Sequence, residues 1–299
     1  MNEAKPAMRV GFIGIGNMGL PMGTNLLKAG YPVIAFDRSE DRLGTIVSRG
    51  ARRAESVAQV AREADVVFTS LPNDAIFRSV ALGDDGVVAN AGPGTIFMDT
   101  STVSPTVSAE VAEGAREHGV RYLRTTVSGN GVVAAAAALT VMASGPREAY
   151  DAVLPLIHAI GRRAFYLGEA EEARLMKLAV NLMISVSSGM IGEALTLGRK
   201  SGLDWSQMLE VLASSHVASP MVLYKVPPLK ERDFSSTMSA ITQTKDVDLI
   251  LDCAAASHVP LHLTSAVRGL FQGLISTGGG EDDYIALVRH VEALSGVGI

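Results

Sequence analysis

The feature that most constrains this chain sits at its start. Gly14, Gly16 and Gly19 form G-x-G-x-x-G directly after a short apolar run, Val10 to Ile13, that reads as a buried strand. A helical pattern follows from Leu20 to Lys28 and stops at Gly30, and a second apolar run, Val33 to Phe36, delivers Asp37. This spacing predicts a β-α-β unit that binds a dinucleotide. Gly14 permits the tight strand-to-helix turn, Gly16 lets the backbone approach a pyrophosphate, and Gly19 lets helix and strand pack closely. The loop residues Ile15, Asn17 and Met18 lead into a helix start whose N–H groups and positive dipole end suit phosphate. Asp37 arrives where a carboxylate can accept hydrogen bonds from both hydroxyls of an adenosine ribose, with Arg38 beside it. In a chain with 30 glycines the competing reading is a glycine-rich turn that binds nothing. Placement between two strands, with an acid at the right distance, favours the dinucleotide.

At 299 residues the chain is long enough for two domains, since single cores stop growing near ~250–300 residues. A net charge of −5 without a long basic stretch argues against nucleic acid. The single Cys253 excludes an intrachain disulfide and fits a reducing compartment; in D-C-A-A-A it reads as a buried, inert helix residue. No metal is expected, because the histidines lack tight ligand spacing, and Pro260 separates the pair His258 and His262. The start, M-N-E-A-K-P-A, has no apolar signal core, and no run approaches the ~18 apolar residues of a membrane span. The expectation is a cytoplasmic protein with no membrane partner.

Strand and helix signals alternate through the first half. Asp65 to Ser70 and Thr95 to Asp99 read as buried strands, ending at Leu71-Pro72 and at Thr100-Ser101-Thr102. Tyr122 to Val127, Leu139 to Ala143 and Ala164 to Leu167 look like further strands. Repeated β-α units predict a Rossmann-type, doubly wound α/β domain with a mostly parallel sheet, over residues 1–167. Ligands bind such sheets at the carboxyl ends of the strands, where the loops at Gly14, Leu71, Ser101 and Ser128 fall. From Glu169 to Lys200 a helical pattern runs without proline, and further helical segments follow at Asp204 to Ser214, Thr237 to Ala256, Thr264 to Ser276 and Asp282 to Ala293. Residues 168–299 therefore read as an all-α C-terminal domain joined by a long helix.

The chain resembles the β-hydroxyacid dehydrogenases, the group containing 3-hydroxyisobutyrate dehydrogenase and tartronate semialdehyde reductase. G-F-I-G-I-G-N-M-G-L-P-M, residues 11–22, is similar to the cofactor loop of that family, and T-V-S-G, residues 126–129, to its substrate-binding segment. K-L-A-V-N supplies Lys177 and Asn181 at the position of the family's catalytic helix, and K-D-V-D-L, residues 245–249, resembles its late K-D-x-x-L segment. D-T-S-T-V-S-P, residues 99–105, looks like the loop beside the nicotinamide. The resemblance implies an NAD(P)-dependent oxidoreductase of a small 3-hydroxy acid or its semialdehyde. It also implies a homodimer or homotetramer and Lys177 as the proton-transfer group.

The residues can be read independently. Lys177 and Asn181 are four apart and project from one helix face. Apolar neighbours (Leu175, Met176, Leu178, Val180, Leu182) predict that the helix is largely buried, where a lysine is costly unless paired. The alternative is a lysine that snorkels outward or pairs with Glu171, Glu172 or Glu193. An ammonium suits the proton-transfer task because it also stabilises a developing alkoxide. Asn181 can hydrogen-bond the substrate or hold Lys177. Ser128, with the Gly129 and Asn130 N–H groups, can cradle a carboxylate, or the segment is simply a strand-ending turn. Ser101 and Thr102 are candidates for the nicotinamide side, Leu71 and Pro72 for the ribose side. Lys245 either reaches the cofactor or forms a surface ion pair with Asp246 or Asp248. Departures cluster at the substrate turn: Asn130 replaces a family glycine, Thr125-Thr126 replace an acidic-Ala-Pro lead-in, and Val133 and Ala137 replace further glycines. Asp37 favours NAD, because a carboxylate repels a 2′-phosphate, with NADP possible through Arg38. An imine reductase using NADPH and a non-catalytic binding protein are the alternatives in other classes.

Overall fold

The computed structural model describes residues 8–298, so the N-terminal segment read for a signal core lies outside the described residues. The described residues group into two compact units, which divide between Lys177 and Leu178. In the first unit, among the described residues, eight strands form one sheet in the order β3-β2-β1-β4-β5-β6-β7-β8. These are β1 (Val10–Ile13), β2 (Val33–Phe36), β3 (Arg52–Arg53), β4 (Val66–Thr69), β5 (Ile96–Asp99), β6 (Arg121–Ser128), β7 (Leu139–Ser144) and β8 (Gly161–Gly168). Between them run α1 (Gly19–Lys28), α2 (Glu40–Val47), α3 (Val57–Glu63), α4 (Asp74–Leu82), α5 (Val87–Asn90), α6 (Pro105–Glu117), α7 (Gly131–Ala135) and α8 (Arg147–Ile160).

β1, β4 and β5 are buried at every position, as continuous apolar runs covered by helices on both faces should be. Alternation along the strands sends side chains to two cores. Phe12 and Phe68 stack 5.5 Å apart in one, while Phe77, Phe97 and Tyr122 cluster in the other. Each such ring stabilises by ~1.5–3 kcal/mol. Side chains of Ser39, Ser56, Asn73 and Ser104 cap α2, α3, α4 and α6. All pairings from β3 through β6 are parallel, and β6 and β7 then run antiparallel before β7 and β8 pair in parallel. The expected mostly parallel, doubly wound sheet is present. α4, α5 and α8 fill stretches to which the sequence pattern assigns no helix; α8 carries Pro155 in its interior.

The long helix α9 (Glu172–Lys200) begins in the first unit and continues into the second. The second unit adds α10 (Trp205–Ser214), α11 (Pro220–Lys230), α12 (Ala240–Ala256), α13 (His262–Ser276), a 3₁₀ turn at Tyr284–Ala286 and α14 (Leu287–Leu294). Phe271, Tyr284, Leu287, Leu195, Leu209 and Leu229 supply its core. α11 carries Pro227 and Pro228 in its interior, residues that normally argue against a helix.

Two expectations need correction on α9. The helix is not largely buried: Leu175 and Met176 are exposed, as are Met183, Met190 and Leu197 further along. Its buried positions include polar ones, Arg174, Asn181, Ser185, Ser188 and Thr196, satisfied in part by hydrogen bonds such as Ser185 Oγ to the Asn181 carbonyl. By length and composition α9 is also able to cross a membrane, although 44% of its most apolar stretch is buried within the protein. Counting uninterrupted apolar residues missed this, because Leu, Ile, Val and Met keep the average apolar over a stretch that Asn, Ser and Gly interrupt. Cys253, in α12, is half-buried rather than enclosed.

Candidate active site

β1 lies between β2 and β4, so the strand order reverses there, and a crevice for ligands opens outside the carboxyl ends of such strands. The glycine loop enters this crevice. Gly14 has φ +91°, and a Cβ on it would collide with the Ser70 carbonyl at the end of β4. A Cβ on Gly19 would overlap the Gly14 carbonyl oxygen. At Gly16 the situation is opposite: the nearest atom to an added Cβ is Arg42 Nη1, 4.0 Å away. The protein itself therefore does not require glycine at Gly16, and the space above it is open. α1 starts at Gly19, with Met18 at the N-cap offering no capping side chain and no acid in the first turn, unlike the Ser- and Asn-capped helices around it. Open space, uncapped N–H groups and the helix dipole together fit a pyrophosphate.

Asp37 sits at the end of β2 as expected, and its carboxylate does something the spacing did not reveal. Oδ2 accepts from the Ile15 N–H at 2.6 Å and Oδ1 from the Ser39 N–H at 2.7 Å, so Asp37 braces the glycine loop. Each carboxylate oxygen accepts more than one hydrogen bond, so the capacity to receive ribose hydroxyls is retained. Arg38 is exposed next to it, and Asn17 is exposed at the tip of the loop.

The loops after β4 and β5 are tied together. Leu71 N–H donates to Ser101 Oγ at 2.8 Å, and Ser101 Oγ donates to Asp99 Oδ1 at 2.6 Å. The Ser101 hydroxyl is thus engaged with protein, and the side chain is buried, while Thr102 is half-buried and Pro72 is exposed. Asp99 also accepts from Thr69 Oγ1 at 2.6 Å and pairs with the buried Arg174 of α9. Sequence reasoning missed both Asp99 and Arg174. The signal was present in D-T-S-T, where an acid at a strand end precedes three hydroxyl-rich positions, but nothing in the sequence located its cation.

Lys177 Nζ donates to the carbonyl of Val127 at 2.8 Å, the residue before Ser128. Ser128 closes β6 opposite Thr140 of β7, and the chain turns at Gly129, whose φ is +135° and whose Cβ would press on Leu139 and Val133. Asn130 then caps α7, with Oδ1 accepting from the Val133 N–H at 3.1 Å. That gives the departure from glycine a structural reason. A Cβ on Gly131 would sit 3.3 Å from the Asn17 carbonyl, and Asn25 Nδ2 donates to the Ala134 carbonyl at 2.7 Å. The amine, the Ser128 turn and the glycine loop therefore adjoin within the first unit. Ala137, another departure, keeps a left-handed φ of +51° without being glycine.

Asn181 and Lys245 belong to the second unit. Asn181 Nδ2 donates to Asp246 Oδ2 at 2.7 Å, and Lys245 Nζ lies 2.7 Å from Asp246 Oδ1. The alternative of a Lys245–Asp246 pair is realised, but Asp246 is buried, so the pair is not a surface one. Asp248 instead binds Arg268, with 2.5 Å from Nε to Oδ1.

Comparison with known proteins bears on this geometry. Residues 9–168 match the family pattern described as the NAD binding domain of 6-phosphogluconate dehydrogenase. Residues 172–291 match the one described as the NAD-binding of NADP-dependent 3-hydroxyisobutyrate dehydrogenase. A 2-(hydroxymethyl)glutarate dehydrogenase from Eubacterium barkeri is 33% identical over 294 residues, 98% of each chain. An NAD-dependent L-serine dehydrogenase from Pseudomonas aeruginosa is 32% identical and spans 96% of this chain and 99% of its own. Among solved structures, a 3-hydroxyisobutyrate dehydrogenase from Salmonella typhimurium superposes with a TM-score of 0.87 at 26% identity, covering 94% of this chain and 99% of that one.

Proposed function

The chain belongs to the β-hydroxyacid dehydrogenase family of NAD(P)-dependent oxidoreductases, and from that premise we propose a substrate class and a set of residue roles. The substrate is a small 3-hydroxy acid bearing a primary alcohol, or the matching semialdehyde. 2-(Hydroxymethyl)glutarate, L-serine and 3-hydroxyisobutyrate, the compounds after which the relatives are named, share a hydroxymethyl group on the carbon next to a carboxylate. They differ in the second substituent on that carbon.

NAD(P) supplies the hydride acceptor, or donor, when bound in the crevice beside Gly14, Ile15, Gly16, Asn17, Met18 and Gly19. Ser128 and the N–H groups of Gly129 and Asn130 hold the substrate carboxylate. The Lys177 amine takes the hydroxyl proton as the C–H bond breaks, and in the reverse direction its ammonium protonates the forming alkoxide. Its hydrogen bond to the Val127 carbonyl fixes the amine next to the carboxylate turn, and that single contact carries the assignment. Asn181 orients the substrate or Lys177, with its own amide held by Asp246. Leu71, Pro72, Ser101 and Thr102 line the cofactor. NAD is favoured over NADP, because the Asp37 carboxylate opposes a 2′-phosphate.

We also propose a cytoplasmic homo-oligomer. Exposed Met176, Met183, Met190 and Leu197 recur every seven residues on α9, which places an apolar stripe on one side of the helix. The test of function is kcat/KM for 3-hydroxy acids differing in the second substituent, their semialdehydes and cyclic imines, with each cofactor. Turnover of hydroxy acids with NAD supports the proposal. Turnover confined to imines, or none despite tight cofactor binding, contradicts it.

A further inference from the structure

Behind the cofactor loops lies a buried network that the proposed chemistry does not use. Two guanidiniums, Arg124 and Arg174, face two carboxylates, Glu171 and Asp99, so the group is balanced in charge. Arg174 and Asp99 are fully buried and Arg124 nearly so. Each arm of the Arg174 fork has a distinct partner. Nη1 donates to the Ser101 carbonyl at 2.6 Å, Nη2 to Asp99 and to the Tyr122 hydroxyl (2.8 Å), and Nε to Ser108 Oγ at 3.3 Å. Arg124 Nε donates to the same Ser108 oxygen and to Glu171, and its guanidinium stacks 4.8 Å from the Tyr122 ring centre. Burial pushes the Tyr122 phenol up, so it stays protonated within the cluster.

This wiring converges on one loop. Ser101 is gripped at its carbonyl by Arg174 and at its hydroxyl by Asp99, and the same hydroxyl receives the Leu71 N–H. The loops after β4 and β5, assigned above to the cofactor, are thereby keyed to one side chain. That side chain stands three residues before Lys177 on the same helix. The start of α9 is itself pinned to β6 and β7, by Thr126 Oγ1 to the Ala173 carbonyl (3.0 Å) and Ser144 Oγ to the Ala170 carbonyl (2.7 Å). A planar, five-donor fork can hold several acceptors at fixed angles, and a lysine cannot.

We propose that Arg174 is a positioning residue: through Ser101 and Asp99 it sets the cofactor loops in register with the Lys177 amine. The proposal rests on the dehydrogenase assignment and on Lys177 as the proton-transfer group. A guanidinium serving stability alone would govern how much enzyme is folded. A guanidinium setting register governs the rate of each folded site, because misplacement by ~1 Å costs about 10²-fold.

The test compares Arg174→Lys, Arg174→Ala, Ser101→Ala and the double variant Arg174→Lys/Ser101→Ala, with kcat expressed per cofactor-binding site. Arg174→Lys should lower kcat per site by about 10²-fold at saturating cofactor, with a much smaller change in cofactor Kd. Added guanidinium ion should restore part of the kcat of Arg174→Ala without raising its folded fraction. Removing one member of a buried pair is strongly destabilising, so Arg174→Ala is at risk of not folding. In that case the cycle of Arg174→Lys with Ser101→Ala decides. Losses in kcat that fail to add support coupling through Asp99 and the Ser101 hydroxyl, and additive losses overturn that route; the Arg174 bond to the Ser101 carbonyl survives Ser101→Ala and is read from Arg174→Lys alone. A kcat per site within about twofold of the parent in Arg174→Lys overturns the positioning role itself. Lys177→Ala separates the two levels. If it turns over normally, the proton-transfer assignment fails. If it is inactive while the Arg174 variants match the parent per site, only the positioning role fails.

Discussion

Gly16 and Gly19 are both glycines of one loop, yet they should respond to alanine in opposite ways. At Gly19 a methyl would overlap the Gly14 carbonyl oxygen, which is backbone and has nowhere to go, and it would also press on the Phe12 ring at 3.1 Å. Relief requires α1 to shift away from β1, and overpacking of this kind costs ~1–3 kcal/mol or more. At Gly16 the same methyl meets only the end of the flexible Arg42 side chain at 4.0 Å. Gly16→Ala should therefore fold at least as well as the parent, with ~0.4–1 kcal/mol to gain from a stiffer unfolded chain. Its defect should be in binding, because the methyl occupies the space read as the pyrophosphate's. Loss of one charge-assisted hydrogen bond, ~1.5–3 kcal/mol, corresponds to a Kd raised roughly 10- to 100-fold. Thermal unfolding without ligand and titration of the reduced cofactor by nicotinamide fluorescence separate the two effects. Unchanged cofactor affinity in Gly16→Ala, or a Gly19→Ala protein as stable as the parent, would refute this account of the loop.

Three further outcomes follow from particular contacts. Ala137 holds a left-handed φ that costs an L-residue ~1–2 kcal/mol, so Ala137→Gly should stabilise by roughly 0.5–1 kcal/mol net of the glycine's extra freedom when unfolded; chemical denaturation measures this. Burial alone would raise the Glu292 carboxyl, but hydrogen bonds from Arg232 and Arg199 outweigh it and hold the group below the ordinary range. Its stabilising contribution is therefore present above the unfolded carboxyl value and is lost as pH falls through the lower folded value. Melting curves at successive pH values should show the parent losing stability below about pH 4.5, the usual glutamate value, and Glu292→Gln losing less over that range. Met183→Glu with Leu197→Glu should reduce the oligomer seen by light scattering without lowering α-helix content; an unchanged mass would contradict the role given to the α9 stripe.

The β-α-β opening was legible because it depends on local rules: glycines that permit a turn, an apolar run, an acid at the next strand end. Lys177 was singled out through the resemblance of K-L-A-V-N to the family's catalytic helix, because helix spacing by itself suits a snorkelling or paired lysine equally well. What stayed hidden depends on long-range pairing. Asp37 was expected to face a ribose, and no local pattern shows that it also clasps Ile15, twenty-two residues earlier. Arg174 was invisible as the partner of Asp99, seventy-five residues away, because an arginine on a helix usually points to water. α9 was misread as enclosed, since Leu175 and Met176 look like core residues until their exposure is seen. α11 escaped because Pro227 and Pro228 lie in its last turns, where packing by Leu229 and Val222 overrides the local preference.

The central claim is that the Lys177 amine moves the substrate's proton. Lys177→Ala, measured by kcat with the best hydroxy acid alongside cofactor Kd, tests it most directly. Loss of a positioned general base predicts a kcat lower by about 10²–10⁴-fold with cofactor affinity unchanged. A variant that retains nearly full turnover while binding cofactor normally would contradict the claim.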